Sequence, residues 1–548
     1  MMKILKSVLW AWIICSLFVF NYAQSTPRQD MLVSVTSDEM VKNSLRAHIE
    51  FLADDLLQGR NTGSEEYEIA ARYVASHFRQ YGLKVAGENN SWFQSVPFIR
   101  STVEQSSQQM ILHTANNQTE FKSPKEFVSL AGVTSAIDEV RGKLVFVGYG
   151  IVSKGMKHND YGDLDVQGKI VVMFAGRPAS YPSEEGAHIS NIREKLRHAA
   201  NRGAIGVITL DRHIPSFASR PLINWKMKEG GVFDSYPGLQ GIAFATMDAG
   251  RQIFSAAGYD VEQVFAQARE NDLSAGFDMD VEVSLIRKST HEALFSSNVV
   301  GILEGSDPVL KNEYVVYSAH LDHIGVNTQG VDLINNGALD NAAGIAIMLE
   351  TARRFSLGQR PKRSILFVAV TAEEHDLLGS NYFAHYPTVP VDSMVANINL
   401  DMPVILYPFA DVVAFGAQHS TLADNVRAAA RTINLRLSPD PIPEQAIFTH
   451  ADHYSFVKQG VPSVYLVPGF TSKDPSINGG QVFGEYYSKH YHQPSDDISL
   501  PIDYKVGASF TTINFLIGED IANSPLRPRW NEGDFFGDMF KKTARNMQ

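Results

Sequence analysis

Histidine and carboxylate side chains are concentrated in one stretch of the sequence, residues 314–402. In chain order they are His320, Asp322, Asp340, Glu373, Glu374 and Asp401. Three short apolar runs, 314–318, 364–370 and 395–400, end just before members of this set. Such runs between helical segments are typical of buried parallel strands. Because sites in open α/β sheets form at the carboxyl ends of strands, we expect these side chains to converge at one edge of one sheet.

A cluster of this composition needs a cation, because gathered carboxylates repel each other and some would otherwise have to be protonated. Two divalent ions that share a bridging carboxylate would balance the charge. Nitrogen with oxygen ligands suits zinc, and manganese and cobalt are also tolerated. A second histidine is then required, and the best candidate is His492. Asp340 precedes an apolar helical pattern, so we expect it to cap that helix and point at the same edge.

The sequence resembles the di-zinc aminopeptidases, whose relatives include bacterial leucyl aminopeptidase, glutamate carboxypeptidase and the transferrin receptor. The matching motifs are FLADDLLQGRNTGS (51–64), SAHLDHIG (318–325), GALDNAAG (337–344), TAEEHDLLGS (371–380), NLDM (399–402) and YHQPSDD (491–497). The resemblance covers about residues 38–100 and 297–522, and the inserted region resembles a protease-associated (PA) domain. Each motif alone is modest, but together in this order they are specific.

This resemblance implies a role for each side chain. His320 and Asp401 bind one zinc ion, Glu374 and His492 bind the other, and Asp340 bridges both. Glu373 is the general base for a hydroxide held between the metals, a choice that the residues alone leave open between Glu373 and Glu374. The hydroxyl of Tyr491 faces the oxyanion that develops at the scissile carbonyl.

Two further aspartates are expected to orient the metal-binding histidines. Asp322 should form a hydrogen bond with His320 and fix its tautomer, and Asp496 should do the same for His492. Residues 449–453, THADH, resemble a metal cluster by composition. Because the five ligands already complete two sites, we expect these residues to line a pocket or to have a structural role.

Length and charge exclude some classes of protein. The 548 residues are enough for two or three domains, and 44% hydrophobic with 20% charged residues is ordinary for a globular protein. The net charge of −12 argues against a nucleic-acid binder.

Export is predicted from the first residues. Lys3 and Lys6 precede an apolar run, 8–20, and the small residue Ala23, which together indicate a cleaved secretory signal peptide. A retained membrane anchor is the alternative, but the run is shorter than the roughly 20 residues of a spanning helix. The only cysteine, Cys15, lies in this leader, and an exported chain without disulfides fits a bacterial periplasm or exterior.

The predicted fold is α/β, a mostly parallel mixed sheet flanked by helices, with an inserted β-rich α+β domain. The resemblance makes it a zinc-exopeptidase, phosphorylase/hydrolase-like fold. From about residue 123 the sequence changes to short β runs with frequent turns, which indicates the insertion. The predicted parts are a signal peptide (1–23), a catalytic domain in two segments (24–122 and 286–525), an inserted PA-like domain (123–285) and a C-terminal tail (526–548).

The resemblance therefore implies a secreted di-zinc metallo-aminopeptidase that acts on peptides with a free N-terminus. A carboxypeptidase or dipeptidase of the same family is the alternative. It would use the same metals with a cationic clamp for the substrate carboxylate, and the sequence places no arginine pair for this purpose. A non-catalytic receptor-like relative would have lost ligands, and none is missing.

Overall fold

The computed structural model describes residues 27–215, 218, 220–271 and 276–541, with side chains from residue 39 onward. The predicted signal peptide, 1–23, lies outside these residues. Within the described part of the chain, no helix combines the length and apolar character needed to cross a membrane.

The catalytic sheet is mixed and mostly parallel, which confirms the predicted fold class. Its central strand, Tyr314–His320, pairs in parallel with Ser364–Val370 on one side and with Met394–Asn399 on the other. Met394–Asn399 in turn pairs in parallel with Ser463–Pro468. Outer or antiparallel strands complete the sheet: Lys84–Val85, Phe93–Val103, Leu222–Trp225, the second half of Phe277–Leu303, Asp411–Phe415 and Arg436–Ser438.

Helices cover both faces of this sheet because successive side chains of a strand point to opposite faces. In the central strand, Val315 and Tyr317 are buried on one face and Val316 on the other. The first face is covered by Pro27–Leu52, Glu65–Gln80, Ala343–Leu357, Leu422–Thr432, Gly479–Lys489 and Tyr504–Asn523. The second face is covered by Leu378–His385 and His453–Val457.

The inserted region forms its own sheet and cores. Three of its strands, Ile170–Phe174, Gly206–Asp211 and Gly241–Thr246, are parallel to one another. The inserted region also contains Phe127–Ser129, Ile137–Phe146 and the separate pair Val152–Ser153 and His158–Asn159. Gln109–His113 and Gln118–Phe121 belong to the same inserted sheet, so this sheet begins before the predicted boundary at residue 123. Its helices are Ser183–Ser190, Ile192–Ala200, Met247–Ala256 and Val261–Arg269.

One long strand, Phe277–Leu303, links the two sheets. Its first half pairs with Ile137–Phe146 of the inserted sheet, and its end pairs with Ser364–Val370 of the catalytic sheet. The predicted boundary between residues 285 and 286 therefore falls inside a continuous strand. Beyond the last large helix, a short helix, Phe535–Phe540, lies in the predicted tail, and residues 542–548 are outside the described chain.

Candidate metal centre

Four of the predicted site residues lie at the carboxyl ends of neighbouring parallel strands. His320 ends the central strand, and Asp401 follows the strand beside it. Glu373 and Glu374 follow the neighbouring strand on the other side. The structure therefore brings these side chains to one edge of the sheet.

The remaining ligands, Asp340 and His492, complete a symmetric arrangement. His320 Nε2 lies 3.0 Å from Asp401 Oδ1 and 3.2 Å from Asp340 Oδ1. His492 Nε2 lies 2.9 Å from Glu374 Oε2 and 3.3 Å from Asp340 Oδ2. Asp340 thus presents one oxygen to each histidine, and each histidine has one further carboxylate beside it. This arrangement of nitrogen and oxygen atoms around a shared carboxylate could hold metal.

The charges at this edge favour bound cations. Burial lowers the pKa of His320, but Glu373 and Asp401 outweigh burial and raise that pKa well above its usual value. Burial likewise lowers the pKa of His492, and Glu374 outweighs it, so that the pKa rises to about 10. Both imidazoles are thus held in a field that stabilises positive charge. Their nitrogen atoms, together with carboxylate oxygens, form a donor set that fits zinc.

Glu373 lies beside the ligands. One of its carboxylate oxygens, a His320 nitrogen and a Glu374 oxygen all lie within 4.8 Å of one another. Burial raises the pKa of Glu373 well above its usual value, and the nearby carboxylates of Asp401 and Glu374 raise it further. Its position beside the metal ligands suits proton transfer.

Asp340 is held by the backbone turn that contains it. The turn, Ala338–Ala342, precedes the helix Ala343–Leu357. The expected helix cap is not made by Asp340. Instead, Asn341 Oδ1 accepts hydrogen bonds from the backbone N–H groups of Gly344 (3.0 Å) and Met402 (3.1 Å). Because Asn341 takes over capping, the Asp340 carboxylate is free to face the two histidines.

Asp322 and Asp496 are buried near the candidate ligands, but their carboxylates accept hydrogen bonds from backbone N–H groups and not from the histidines predicted for them. His320 Nδ1 donates to the backbone carbonyl of Asp322 at 3.1 Å, not to its carboxylate. The Asp322 carboxylate accepts from the backbone N–H groups of Glu373 (3.1 Å) and Glu374 (3.3 Å). It therefore holds the loop that carries both glutamates.

Asp496 orients the bridging residue. Its carboxylate oxygens accept from the backbone N–H groups of Leu339 and Asp340, each at 3.0 Å, and from Tyr486 Oη at 3.0 Å. The partner expected for Asp496 was His492. In the structure, Asp496 instead forms hydrogen bonds with the Asp340 turn, which lies far from it in the sequence.

A third histidine, His323, lies at this edge and was missed by the sequence reasoning. Its Nδ1 lies 2.6 Å from Glu374 Oε1 and 3.9 Å from Asp340 Oδ2. Its position inside the SAHLDHIG motif, three residues after His320, was the available signal.

A cavity of about 440 Å³ opens onto the site between the catalytic and inserted domains. Glu373, Glu374, His492 and Tyr491 line one side of it, and residues of the inserted domain line the other. The Tyr491 ring stacks on the His492 ring with centroids 3.8 Å apart. Burial raises the pKa of Tyr491 well above its usual value, so its hydroxyl stays protonated and able to donate.

The cluster at residues 449–453, which resembles a metal site by composition, is partly cavity lining and partly buried. Thr449 and His450 line the cavity, whereas Asp452 and His453 are fully buried. None of these residues belongs to a group of potential metal ligands in the described chain.

Comparisons with known proteins give two family matches in this chain. Residues 298–515 match the model of peptidase family M28, and residues 139–224 match that of the PA domain. The chain is 26% identical over 234 residues to a probable leucine aminopeptidase 2 of Aspergillus oryzae, covering 40% of this chain and 43% of that protein. It is 28% identical over 211 residues to aminopeptidase YwaD of Bacillus subtilis, covering 37% and 40%. The matches therefore span less than half the length of these relatives.

A solved structure supports the fold. The aminopeptidase from Aneurinibacillus sp. strain AM-1 superposes with a TM-score of 0.52 at 18% sequence identity, covering 90% of this chain and 95% of that one. At this identity the likeness shows the fold alone.

Proposed function

Because residues 298–515 match peptidase family M28 and residues 139–224 match the PA domain, we propose that the chain is a di-zinc aminopeptidase that removes amino-terminal residues from peptides. The observation that carries this proposal is the Asp340 carboxylate, which faces His320 with one oxygen and His492 with the other. His320, Asp340 and Asp401 would hold one ion, and Asp340, Glu374 and His492 the other. When bound, the ions supply positive charge that activates water and polarises the scissile carbonyl.

The residues of this chain perform the remaining steps. Glu373 accepts a proton from the attacking water and passes it to the leaving amine. The Tyr491 hydroxyl donates a hydrogen bond to the oxyanion as the carbonyl becomes tetrahedral. The inserted domain closes the cavity on the side opposite the ligands and confines the peptide there. A free amino terminus beside the carboxylates would limit the enzyme to removing terminal residues.

A panel of fluorogenic aminoacyl substrates, assayed with and without a chelator, tests this function. We expect hydrolysis that the chelator abolishes and that added zinc restores, with about two zinc ions per chain by elemental analysis. Peptides with a blocked amine should not be cleaved. Absence of both zinc and hydrolysis would refute the proposal.

A carboxypeptidase or dipeptidase is the second candidate, because an arginine side chain that could bind a substrate carboxylate lies in the cavity wall. Arg220 is exposed there and forms no ion pair with the residues that the structure describes. An arginine in this place suits a substrate carboxylate. Equal cleavage of amine-blocked peptides, lost in Arg220→Ala, would favour this candidate over the aminopeptidase.

We also propose that the protein is exported, with residues 1–23 as its signal peptide. Positive charge, an apolar run and a small residue before the cleavage point support this proposal. Amino-terminal sequencing of the secreted or periplasmic protein should begin at Gln24. Recovery of the uncleaved chain from the cytoplasm alone would count against export.

A further inference from the structure

We propose that His323 is a positioning residue that holds the Glu374 carboxylate in place, so that one oxygen faces the metal and the other is occupied by a hydrogen bond. This inference rests on the proposed function, since it assumes that Glu374 binds a metal. It adds a residue to the site for which neither the sequence reasoning nor the family resemblance gave a role.

The contacts of Glu374 carry the proposal. His323 Nδ1 lies 2.6 Å from Oε1, and His492 Nε2 lies 2.9 Å from Oε2. An ionised carboxylate can only accept hydrogen bonds, so His323 Nδ1 must be the donor. Each carboxylate oxygen therefore has its own histidine. With Oε1 occupied, Oε2 is the oxygen left to coordinate.

His323 itself cannot easily move. Its side chain is fully buried, and its backbone N–H donates to the Arg60 carbonyl at 3.2 Å. Gly337 lies against the ring: a Cβ built there would come within 2.7 Å of His323 Cγ and Cδ2. Gly337 also has φ +60°, which side chains rarely adopt. A ring confined in this way fixes the orientation of the carboxylate that it contacts.

A direct metal bond from His323 is the competing role. Potential ligand atoms of His323, Asp340 and Glu374 do lie within 4.8 Å of one another. However, two atoms bound to one zinc at roughly 2.0 Å in tetrahedral geometry are about 3.3 Å apart. The 2.6 Å between His323 Nδ1 and Glu374 Oε1 is a hydrogen-bond distance, and it falls further below this separation than the 2.9 Å of the proposed ligand pair His492–Glu374 and the 3.0 Å of His320–Asp401. The geometry assigns His323 to the hydrogen bond.

Two substitutions separate these roles. His323→Leu keeps the volume but removes the donor, whereas the amide nitrogen of His323→Asn can take the place of Nδ1. His188→Leu is a matched control, because His188 is also buried but contacts Tyr454 and no metal ligand. All variants are checked for folding by circular dichroism, and bound zinc is measured by elemental analysis after dialysis against graded chelator.

We expect His323→Leu to lose one of the two zinc ions about 10–100-fold more easily than the parent, as for other residues that orient metal ligands. His323→Asn should restore most of this affinity, and His188→Leu should match the parent. Retention of both ions by His323→Leu at parental affinity would overturn the proposal. Equal loss in His323→Asn and His323→Leu would also overturn it, in favour of direct ligation. If the parent binds no zinc, the proposed function fails, and this inference fails with it.

Discussion

Two of the buried clusters in the described part of the chain combine histidine with carboxylates, and the first of these two has the features of a metal centre. At the sheet edge, several histidines and carboxylates form overlapping groups of potential metal ligands, and a cavity opens onto them. In the second cluster a single histidine, His419, lies between two carboxylates: its Nδ1 is 2.6 Å from Asp534 Oδ2, and its Nε2 is 2.7 Å from Glu184 Oε2. The number of potential ligand groups that lie together and access to a cavity distinguish the candidate site from a structural contact.

The second cluster joins three parts of the chain. Glu184 belongs to the inserted domain, His419 to the catalytic domain and Asp534 to the C-terminal region. Burial lowers the pKa of His419, but Asp534 and Glu184 outweigh burial and raise the pKa to about 10. A protonated His419 therefore forms an ion pair with each carboxylate, and burial raises the pKa of Glu184, which lessens the remaining negative charge. The contrast predicts that substitutions in the first cluster remove metal or activity, and that those in the second remove stability.

Asp340→Asn should have the largest effect on activity. The amide keeps the shape of the side chain but loses the charge that allows one group to serve two cations, so zinc content and hydrolysis should both fall to background. Elemental analysis and kcat/KM measure the two effects. Asp332→Asn, an exposed aspartate of the preceding loop, is the control and should change neither. A fully zinc-loaded, active Asp340→Asn enzyme would contradict the bridging role.

Glu373→Gln should retain zinc but lose turnover. Removal of the proton acceptor should lower kcat about 10²–10⁴-fold, while the ligands remain in place. Zinc content and kcat, measured on the same preparation, separate this residue from its neighbour: Glu374→Gln should lose zinc as well. If Glu373→Gln loses zinc and Glu374→Gln keeps it, the two roles are exchanged.

His419→Leu should change stability and leave the metal centre intact. Removing one partner of a buried ion pair leaves buried charge uncompensated, which costs about 3 kcal/mol of unfolding free energy. Urea unfolding measures this loss. Arg251→Ala, which removes exposed ion pairs to Asp248 and Glu262, is the control and should have little effect. Loss of zinc from His419→Leu would break the proposed division between the two clusters.

The sequence predicted which candidate ligands lie together better than it predicted the residues that support them. Apolar strands that end before His320, Glu373 and Asp401 locate these residues at one sheet edge, because parallel strands share a direction. Nothing local revealed that Asp496 would hold the Asp340 turn, since 156 positions separate Asp496 from Asp340 in the sequence.

Longer-range features were also hidden from the sequence. The strand Phe277–Leu303 crosses the predicted domain boundary because its backbone pairs first with Ile137–Phe146 and then with Phe93–Val103 and Ser364–Val370. The contact between His419, Glu184 and Asp534 depends on how the inserted domain and the C-terminal region dock onto the catalytic domain. Docking is decided by tertiary packing and leaves no periodic pattern in any one segment.

The smallest expected effect is a loss of stability at alkaline pH that depends on His419. The pKa of His419 is about 10 in the folded protein, above its usual value of 6.5. The folded state therefore binds the proton more tightly, and the resulting stabilisation is fully present below pH ~6.5 and disappears as pH rises through about 10. Urea unfolding between pH 7 and 11 should show the parent losing this contribution and His419→Leu lacking it, so that the difference between the two narrows. A difference that stays constant over this range would show that the contact between His419 and its carboxylates does not depend on the proton.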